Sequence, residues 1–380
     1  MKRIALGMGL SDYYDHGVAR GIVKYARNKP DWRLYGQGWM FSPLEDLPAW
    51  DGDGVITRLE FAEQVSGLSG LTCPVVDVAN AFVMPRVRRV SNDDYQTGRL
   101  AGRHFMEKGF SSFAYCGTSP GEWSRQRLSG FMHETGQPDL PVFLRPLRWW
   151  LLENFSKELA SFLEGLPGPV GLFACNDKVG LRVSSVCAAE GFDVPGQIAI
   201  LGVDNEDIPC ELANPPLSSI ALNLERIGAL AAAQLDQLMD SGETTDPGLN
   251  TVEVPPGDII ERESTSSYAS SDPLVVSALR IIRGSDGHRK KVADLVDELA
   301  SGRRSLETRF KRETGQTLHQ ALTVQKIRVA GRILRSTDKT MEAVAGESGF
   351  GSVQRFFFRF REQTGMTPAQ FRRKGGGFRA

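Results

Sequence analysis

The sequence predicts an α/β protein with two lobes built on parallel sheets, followed by an all-α C-terminal domain. Through residues 1–262, short apolar runs alternate with helical patterns, which is typical of parallel sheets covered by helices. Residues 273–380 instead repeat one turn-centred helical pattern, which predicts two helix-turn-helix units. A chain of 380 residues also exceeds one typical core, so several domains are expected.

The N-terminal part begins with a buried strand at Ile4–Met8 and a helix at Val18–Arg27. The same alternation then recurs. Further strands are predicted at 54–57, 74–78, 113–116, 142–144, 170–174 and 198–203. Further helices are predicted at 95–108, 124–134, 151–164, 178–190 and 224–239. This length suits two sheets better than one, and a ligand would bind between two lobes, beyond the carboxyl ends of the strands.

A polar, Ser-rich stretch, ESTSSYASSD, covers residues 263–272 and has no apolar period, so it is predicted to be a linker. It separates a predicted ligand-binding domain at 1–262 from a predicted helical domain at 273–380.

The helical domain contains two copies of one sequence pattern, at 292–315 and 340–365. Each copy has two short stripes of apolar residues at helical spacing, separated by a turn with Gly. Each copy also closes on a Thr-Gly pair, where Gly suits the left-handed residue that ends a helix. A longer amphipathic helix, from Leu318 to Ile333, lies between the copies. It would hold them about one duplex turn apart, so that both could enter successive major grooves.

The second helix of each copy is rich in Arg at exposed positions. Residues near the start of such a helix reach base edges, while flanking Arg and Lys neutralise phosphates. The predicted DNA-contacting residues are Arg303, Arg304, Ser305, Glu307, Thr308 and Arg309 in the first copy and Ser352, Val353, Gln354 and Arg355 in the second. A solvated basic helical pair without a nucleic-acid role is the alternative.

The net charge of −1 conceals a division of charge along the chain. Residues 273–380 contain 22 Lys and Arg against 10 Asp and Glu, whereas residues 1–272 contain 23 against 36. A basic module joined to an acidic one indicates that nucleic acid binds at the C-terminal end alone.

Other features favour a cytoplasmic binding protein over an enzyme. The five cysteines are scattered and odd in number, without metal-ligand spacing, which suits reduced thiols. The apolar run at the N-terminus is too short for a signal peptide, and no stretch has membrane-spanning length. The motifs G-x-x-x-x-G-K-[ST] and H-E-x-x-H are absent from the sequence. We therefore expect no catalytic residue, no metal and no cofactor.

The C-terminal domain resembles the DNA-binding domain of AraC-type transcription activators. The resemblance is carried by Arg303–Glu307 with Arg309–Lys311, by Gly349-Phe350 with Phe356 and Phe360, and by the tail GMTPAQFR at 365–372. It covers about residues 275–373 and implies that the two units bind promoter DNA.

The N-terminal part resembles the effector domain of LacI-type repressors, which is itself similar to periplasmic sugar-binding proteins. The segments that carry this resemblance are DGVI at 53–56, SNDDY at 91–95, RLSGF at 127–131, ACND at 174–177 and LGVDN at 201–205. The resemblance implies a two-lobed periplasmic-binding-protein-like fold in which Arg127, Asn176 and Asp204 line the effector site.

These three residues also follow strands of the predicted sheets, as cleft residues should. Each has a structural alternative: Asn176 could cap a helix, Asp204 could be a turn residue, and Arg127 could be a surface charge. Further candidates, from the loop after the first strand, from the end of the 74–78 strand and from aromatic residues able to stack on a sugar, are Asp15, Tyr14, Asn80, Trp149 and Trp150. Core packing is the alternative for either Trp.

The two resemblances together imply a sugar-responsive activator of pentose utilisation, with D-xylose as the leading effector. They also imply a homodimer on two operator half-sites, with first-lobe helices such as 95–108 in the interface, and RNA polymerase as a partner. Two other hypotheses are kept. One is a regulator that responds to a non-sugar effector such as a purine, and the other is an enzyme with a DNA-binding appendage.

Overall fold

The computed structural model describes residues 1–9, 12–36, 50–60, 62–68, 70–81, 87–150, 156–241, 251–266, 272–284 and 286–375. The chain divides into two compact units, Met1–Ser267 and Tyr268–Ala380. Among the described residues, no helix is long and apolar enough to cross a membrane.

The first unit contains two six-stranded sheets, in the orders β11-β5-β4-β3-β1-β2 and β12-β10-β9-β8-β6-β7. Only β12 runs antiparallel to its neighbour in the described pairings. The strands are β1 (Lys2–Gly7), β2 (Trp32–Gly36), β3 (Gly54–Thr57), β4 (Val75–Asp77), β5 (Arg88–Asn92), β6 (Ser112–Thr118), β7 (Val142–Arg145), β8 (Val170–Ala174), β9 (Ile198–Asp204), β10 (Ser218–Ala221), β11 (Thr251–Val254) and β12 (Ile259–Ile260). The predicted α/β class with two parallel sheets is thus confirmed.

Nine helices are described around these sheets. They are α1 (Tyr13–Ala26), α2 (Ala62–Ser66), α3 (Asp94–Glu107), α4 (Glu122–Thr135), α5 (Leu147–Trp150), α6 (Ser156–Glu164), α7 (Asp177–Glu190), α8 (Asp207–Leu212) and α9 (Leu224–Ser241). Residues 151–155, the start of one predicted helix, lie outside the described part of the chain.

The chain crosses between the lobes after β5, after β10 and after β11. The first crossing carries α3 into the second lobe, where Phe105 packs edge to face on Phe131 and lies against Gly171 of β8. The prediction that the 95–108 helix belongs to the first lobe is therefore wrong, because the chain leaves the first sheet at Asn92.

One close helix pair stabilises each lobe. In the first lobe α1 packs on α9, and a Cβ at Gly21 would lie 1.9 Å from the Glu225 carbonyl oxygen. In the second lobe α3 packs on α4, and a Cβ at Gly98 would lie 1.9 Å from the Arg127 carbonyl oxygen. Glycine at both positions lets the helix backbones touch, and in the second pair this fixes the segment that carries Arg127.

The predicted linker begins inside the first unit. Glu263–Thr265 forms a 3₁₀ helix in which Ser264 and Thr265 are fully buried. Their hydroxyls bond within the second lobe: Ser264 Oγ donates to the Ile200 carbonyl at 2.7 Å, and Thr265 Oγ1 donates to Ser218 Oγ at 2.7 Å. The Ser-rich composition predicts a linker, but the hydroxyls of Ser264 and Thr265 are satisfied by partners within the lobe. Residues 267–271 lie outside the described part of the chain.

The second unit is all-α. Its helices are α10 (Pro273–Arg283), α11 (Val292–Glu298), α12 (Arg303–Thr314), α13 (Leu318–Ser336), α14 (Met341–Glu347), α15 (Val353–Thr364) and α16 (Pro368–Gly375). Helix α13 contributes to two separate cores: Leu318 and Leu322 pack with Phe310 of α12, and Ala330 and Leu334 pack with the Phe residues of α15. It therefore joins two helix-turn-helix units, α11–α12 and α14–α15, into one domain.

The second helices of the two helix-turn-helix units end in the same way. Helices α12 and α15 both end on a left-handed glycine, Gly315 at φ 70° and Gly365 at φ 71°. In each unit the preceding Thr hydroxyl donates to the carbonyl four residues earlier, at 2.7 Å. The predicted Thr-Gly helix ends thus have the same geometry in both copies.

Candidate ligand cleft and nucleic-acid interface

The polar residues predicted for the cleft cluster at the carboxyl ends of strands from both sheets. Asp15 follows β1, Asn80 follows β4, Asn176 follows β8 and Asp204 ends β9. Side chains from the two lobes meet here, because Lys178 Nζ lies 3.9 Å from Asp12 of the first lobe and 3.9 Å from Glu206 of the second.

Arg58 organises the first-lobe side of the cleft, and the sequence analysis missed it. Its Nη1 donates to Asp12 Oδ2 at 2.8 Å and to Asp15 Oδ1 at 2.9 Å, and its Nη2 donates to Glu60 at 2.8 Å. Burial favours the neutral form of Asp12, yet Arg58 beside it holds the pKa of that carboxyl below its usual value. At Glu60, burial outweighs the attraction of Arg58 and raises the pKa. Arg58 follows β3, so its position at a strand end was the available signal.

Tyr14 supports this cluster rather than offering its hydroxyl to the cleft. Its Oη donates to the Val78 carbonyl at 2.8 Å and accepts from Asn92 Nδ2 at 3.2 Å. The guanidinium carbon of Arg58 lies 4.5 Å from the centroid of its ring, in cation–π geometry. Tyr14 and Asp15 therefore both contact Arg58.

Arg127 is buried, so its reading as a surface charge is wrong. Its side chain is 4% exposed, its Nε donates to Asp94 Oδ1 at 2.8 Å, and its Nη1 donates to the Cys175 carbonyl. Trp123 lies with its ring centroid 5.0 Å from the guanidinium carbon. Burial raises the pKa of Asp94, although Arg127 opposes that rise.

Asn80, from the first lobe, contacts Asp94 of the Arg127–Asp94 ion pair. Its Nδ2 lies 3.4 Å from Asp94 Oδ2, and its Oδ1 accepts from Arg89 Nη1 at 3.4 Å. Its carbonyl accepts from the Trp123 backbone N–H at 3.0 Å. The bonds to Asp94 and Trp123 are a second contact between the lobes, at the first crossing.

Asn176 caps α7, as its structural alternative required, because its side chain accepts from the Val179 backbone N–H at 2.9 Å. A capping oxygen leaves the amide nitrogen of the same side chain to another partner, so a cleft role stays a prediction. The neighbouring Asp177 is fully buried and accepts from Ser219 Oγ at 2.6 Å and from the Glu206 backbone N–H at 2.8 Å. Burial raises its pKa well above the usual range.

Asp204 occupies a strained backbone position. Asp204 and Asn205 have φ of 108° and 54°, in the region that residues with side chains seldom adopt. Such strain concentrates at functional sites. Burial raises the pKa of Asp204 to about 7, against the opposing charges of Arg127, Arg58 and Lys178. Asp204 is thus near the positive groups of both lobes.

The two predicted tryptophans lie in an aromatic cluster beside β7. Trp150 is buried, its Nε1 donates to the Gly117 carbonyl at 3.0 Å, and its ring lies 5.7 Å from Phe143. Trp149 is half-buried and packs against the same Phe at 5.4 Å. Packing is therefore what the described contacts show, and stacking on a ligand stays a prediction for both.

Among the described residues around the cleft, acidic side chains outnumber basic ones. Its cations are Arg58, Arg127 and Lys178, and its carboxylates are Asp12, Asp15, Glu60, Asp94, Asp204 and Glu206. Carboxylates accept hydrogen bonds and guanidinium groups donate them, which is the combination that hydroxyl-rich ligands require. An excess of carboxylates disfavours an anionic ligand. Within the described ranges, no group of His, Cys, Asp and Glu has an arrangement that could hold a metal.

In the second unit, most predicted contact residues of α12 are exposed. Arg304, Ser305 and Thr308 face solvent, and Arg303 pairs with Glu307 at 3.0 Å. Arg309 differs, because its guanidinium makes two hydrogen bonds to Asp272, the residue that caps α10. The structure thus gives Arg309 a partner within the domain.

Helix α15 presents a different surface. Ser352 caps the helix by accepting from the Arg355 backbone N–H at 3.3 Å, and Val353 packs against the Phe core. Gln354 and Arg355 are exposed. Phe358, which the sequence analysis did not single out, is 65% exposed on this basic helix.

Two family models match the chain. Residues 103–265 match a periplasmic binding protein-like domain, and residues 295–374 match a helix-turn-helix domain. The predicted periplasmic-binding-protein-like fold and the helix-turn-helix domain are thereby confirmed.

Curated relatives and solved structures are similar along nearly the whole chain. The xylose operon regulatory protein of Escherichia coli strain K12 is 28% identical over 97% of this chain and 96% of its own. That of Haemophilus influenzae is 27% identical over 97% of this chain and 98% of its own. The structure of a xylose-binding transcription activator aligns with a TM-score of 0.61, 27% identity and 98% coverage of both chains. These relatives are transcription regulators by name.

Proposed function

Because this chain is similar to xylose operon regulatory proteins along 97% of its length, we propose that it is a sugar-responsive, DNA-binding transcription regulator that activates genes for pentose use. D-xylose is the proposed effector. The proposed site of action is the cytoplasm, where promoter DNA and RNA polymerase are its partners.

The observation that carries this proposal is the composition of the cleft. Carboxylates, amides and guanidinium groups from both lobes converge there, which suits a ligand bound through several hydroxyls. The excess of carboxylates over cations favours an uncharged sugar over a sugar phosphate or a sugar acid. We therefore propose that Arg127, Asn176, Asp204 and Asp15 contact the sugar, with Arg58 orienting Asp15.

Sugar binding would act by stabilising one arrangement of the lobes. A ligand shifts such an equilibrium only as far as it binds one state better than the other. Lys178 already lies between carboxylates of the two lobes. A sugar that contacts Asp204 and Asp15 would add to these interlobe interactions and favour the closed state.

The DNA-binding part of the proposal rests on the duplicated basic unit. Two helix-turn-helix units on one connecting helix would place α12 and α15 in successive major grooves of one half-site. We propose a homodimer on two half-sites, which doubles the contacts with the operator.

The test is a thermal melt of the purified protein with D-xylose, L-arabinose, D-ribose, D-xylose 5-phosphate and adenine. We expect D-xylose to raise the melting temperature most and the phosphate ester to have no effect. A larger shift with adenine would support the purine-responsive alternative. We also expect D-xylose to be recovered chemically unchanged after long incubation with the protein. Conversion of D-xylose into another compound would support the enzyme alternative.

A further inference from the structure

Phe358 is unusual among the phenylalanines of α15. Phe356 and Phe360 are fully buried in the core of the second helix-turn-helix unit, and Phe357 is half-buried against them. Phe358 is 65% exposed, with the Arg359 guanidinium carbon 5.6 Å from its ring centroid. An apolar ring of this size left in water costs free energy that burial in a complex would recover.

The ring projects from the face of α15 that lies opposite the core. At about 100° per residue, Gln354, Phe358 and Arg361 share one side of the helix, away from Phe356 and Phe360. Gln354 and Arg361 are exposed as well. Phe358 therefore lies on the surface that would enter the major groove if α15 is the recognition helix of its unit.

We propose that Phe358 contacts the 5-methyl group of a thymine and thereby helps to set the DNA sequence preference, an inference that rests on the proposed DNA-binding function. Along the major groove, thymine presents a methyl group, and Phe is among the side chains that pack on it. Three exposed cations lie within three residues of Phe358 on the same helix: Arg355, Arg359 and Arg361. That charge is complementary to the phosphates that flank a base, rather than to an apolar protein surface.

Gln354 extends the same reading. It precedes Phe358 by one helical turn on the same face, and a Gln amide pairs in bidentate geometry with the N6 and N7 atoms of adenine. Helix α15 should thus recognise A·T pairs. In α12 the matching position, seven residues before the left-handed glycine, is Thr308 rather than Phe. The two units therefore read different sequences.

The experiment uses the full chain with D-xylose. A preferred duplex is selected from a random-sequence library, and each thymine is then replaced in turn by deoxyuridine, which lacks the methyl group. For the wild-type protein, we expect one or two replacements to weaken binding by about fourfold each, the effect of withdrawing one buried methyl. Phe358→Ala should bind the thymine duplex more weakly and bind the thymine and uracil duplexes equally well. Phe358→Leu should keep part of the discrimination.

Leu212→Ala, which removes a 67% exposed apolar side chain from the first unit, is the matched control, and it should leave the response at those thymines unchanged. Because Phe358 is exposed, its variants should melt like the wild-type protein. If Phe358→Ala discriminates between thymine and uracil as the wild-type protein does, the inference is wrong. Unchanged affinity in Phe358→Ala would overturn it too. Failure to select any preferred duplex would overturn the proposed DNA-binding function, and this inference with it.

Discussion

Arg262 Nη2 donates a hydrogen bond of 2.9 Å to Oδ1 of Asn205. Asn205 follows Asp204 in the strained turn at the cleft, whereas Arg262 directly precedes the buried 3₁₀ helix from which the chain leaves the first unit. The backbone N–H of Arg262 donates to Ser218 Oγ at 2.8 Å, and Thr265 donates to the same oxygen. A short path of hydrogen bonds therefore joins the candidate sugar site to the segment that continues into the DNA-binding unit.

This path predicts that Arg262→Ala separates sugar binding from the DNA response. Sugar affinity should stay within about threefold of wild type, since Arg262 lies behind the turn. The sugar-induced change in operator affinity should fall from about 5–150-fold, the usual range of allosteric coupling, towards none. Calorimetry measures the first quantity, and operator titration with and without D-xylose measures the second. Arg125→Ala removes an exposed arginine of the same unit and should change neither. A full DNA response in Arg262→Ala would exclude the path.

Asp204→Ala should weaken D-xylose binding by about 10-fold or more, the cost of losing a hydrogen bond to a charged acceptor. Operator affinity without sugar should be unchanged, because the substitution lies in the first unit. Asp204→Asn keeps an acceptor oxygen and should bind better than the Ala variant. Titration calorimetry checks both affinities. An Asp204→Ala protein that still melts later with D-xylose would remove Asp204 from the site.

The stability of the first unit should fall as the pH rises from about 5 to 7.5. Burial raises the pKa of both Asp204 and Asp77 to about 7, well above the unfolded value of a carboxyl. Below that pH the folded state binds protons that the unfolded state releases, so protonation stabilises it, and the contribution is lost as the pH passes 7. Asp77→Asn should flatten the pH profile, since its acceptor oxygen can still bind the Leu59 and Ala79 backbone N–H groups. Melting temperatures across this range, followed by tryptophan fluorescence, test the slope.

The fold class followed from the sequence because hydrophobic periodicity is local. Buried strands such as β8, VGLFA, are apolar at every position. One of the strands that were not predicted, β10, is polar: it reads SSIA, and its Ser218 and Ser219 are fully buried because their hydroxyls bond Arg262 and Asp177. No local pattern distinguishes such a strand from a loop.

The candidate site was predictable only in part, for a related reason. Asp204, Asn176 and Arg127 lie in segments that resemble a known effector domain, and they follow predicted strands. Arg58 also follows a predicted strand, but it lies in no such resembling segment. Its importance arises because the fold brings Asp12 and Asp15 to it from the segment after β1, beside its near neighbour Glu60. The role of Arg309 likewise depends on a partner distant in sequence, because its guanidinium pairs with Asp272.

Ala300→Gly should stabilise the second unit, and Gly349→Ala should destabilise it. Ala300 has φ 45° in the turn between α11 and α12. Gly349, at φ 81°, has the matching position in the turn between α14 and α15. Relief of the left-handed strain, about 1–2 kcal/mol, exceeds the added entropy of an unfolded glycine, about 0.4–1 kcal/mol. A Cβ at Gly349 would meet both this strain and the His288 carbonyl oxygen, at 2.2 Å. All six tryptophans lie in the first unit. In urea unfolding followed by circular dichroism, the midpoint of the second unit should therefore rise for Ala300→Gly and fall for Gly349→Ala. The fluorescence transition, which reports on the first unit, should stay fixed. Shifts of the same sign would contradict the assignment.

Replacing Arg304 by Ala and replacing Arg309 by Ala should have different effects on DNA binding and stability, although both residues lie on α12. Arg304 is exposed on the face of α12 opposite its core, so Arg304→Ala should weaken operator binding by about 1–3 kcal/mol and relax sequence preference if it reads a base. Arg309 holds Asp272 at the start of α10. Arg309→Ala should therefore lower the stability of the second unit and weaken operator and random DNA alike. Titration of both duplexes at one salt concentration, together with urea unfolding, separates the two variants. Equal losses on operator and random DNA for Arg304→Ala would make it a phosphate contact. A selective loss for Arg309→Ala would mean that it leaves Asp272 to read a base.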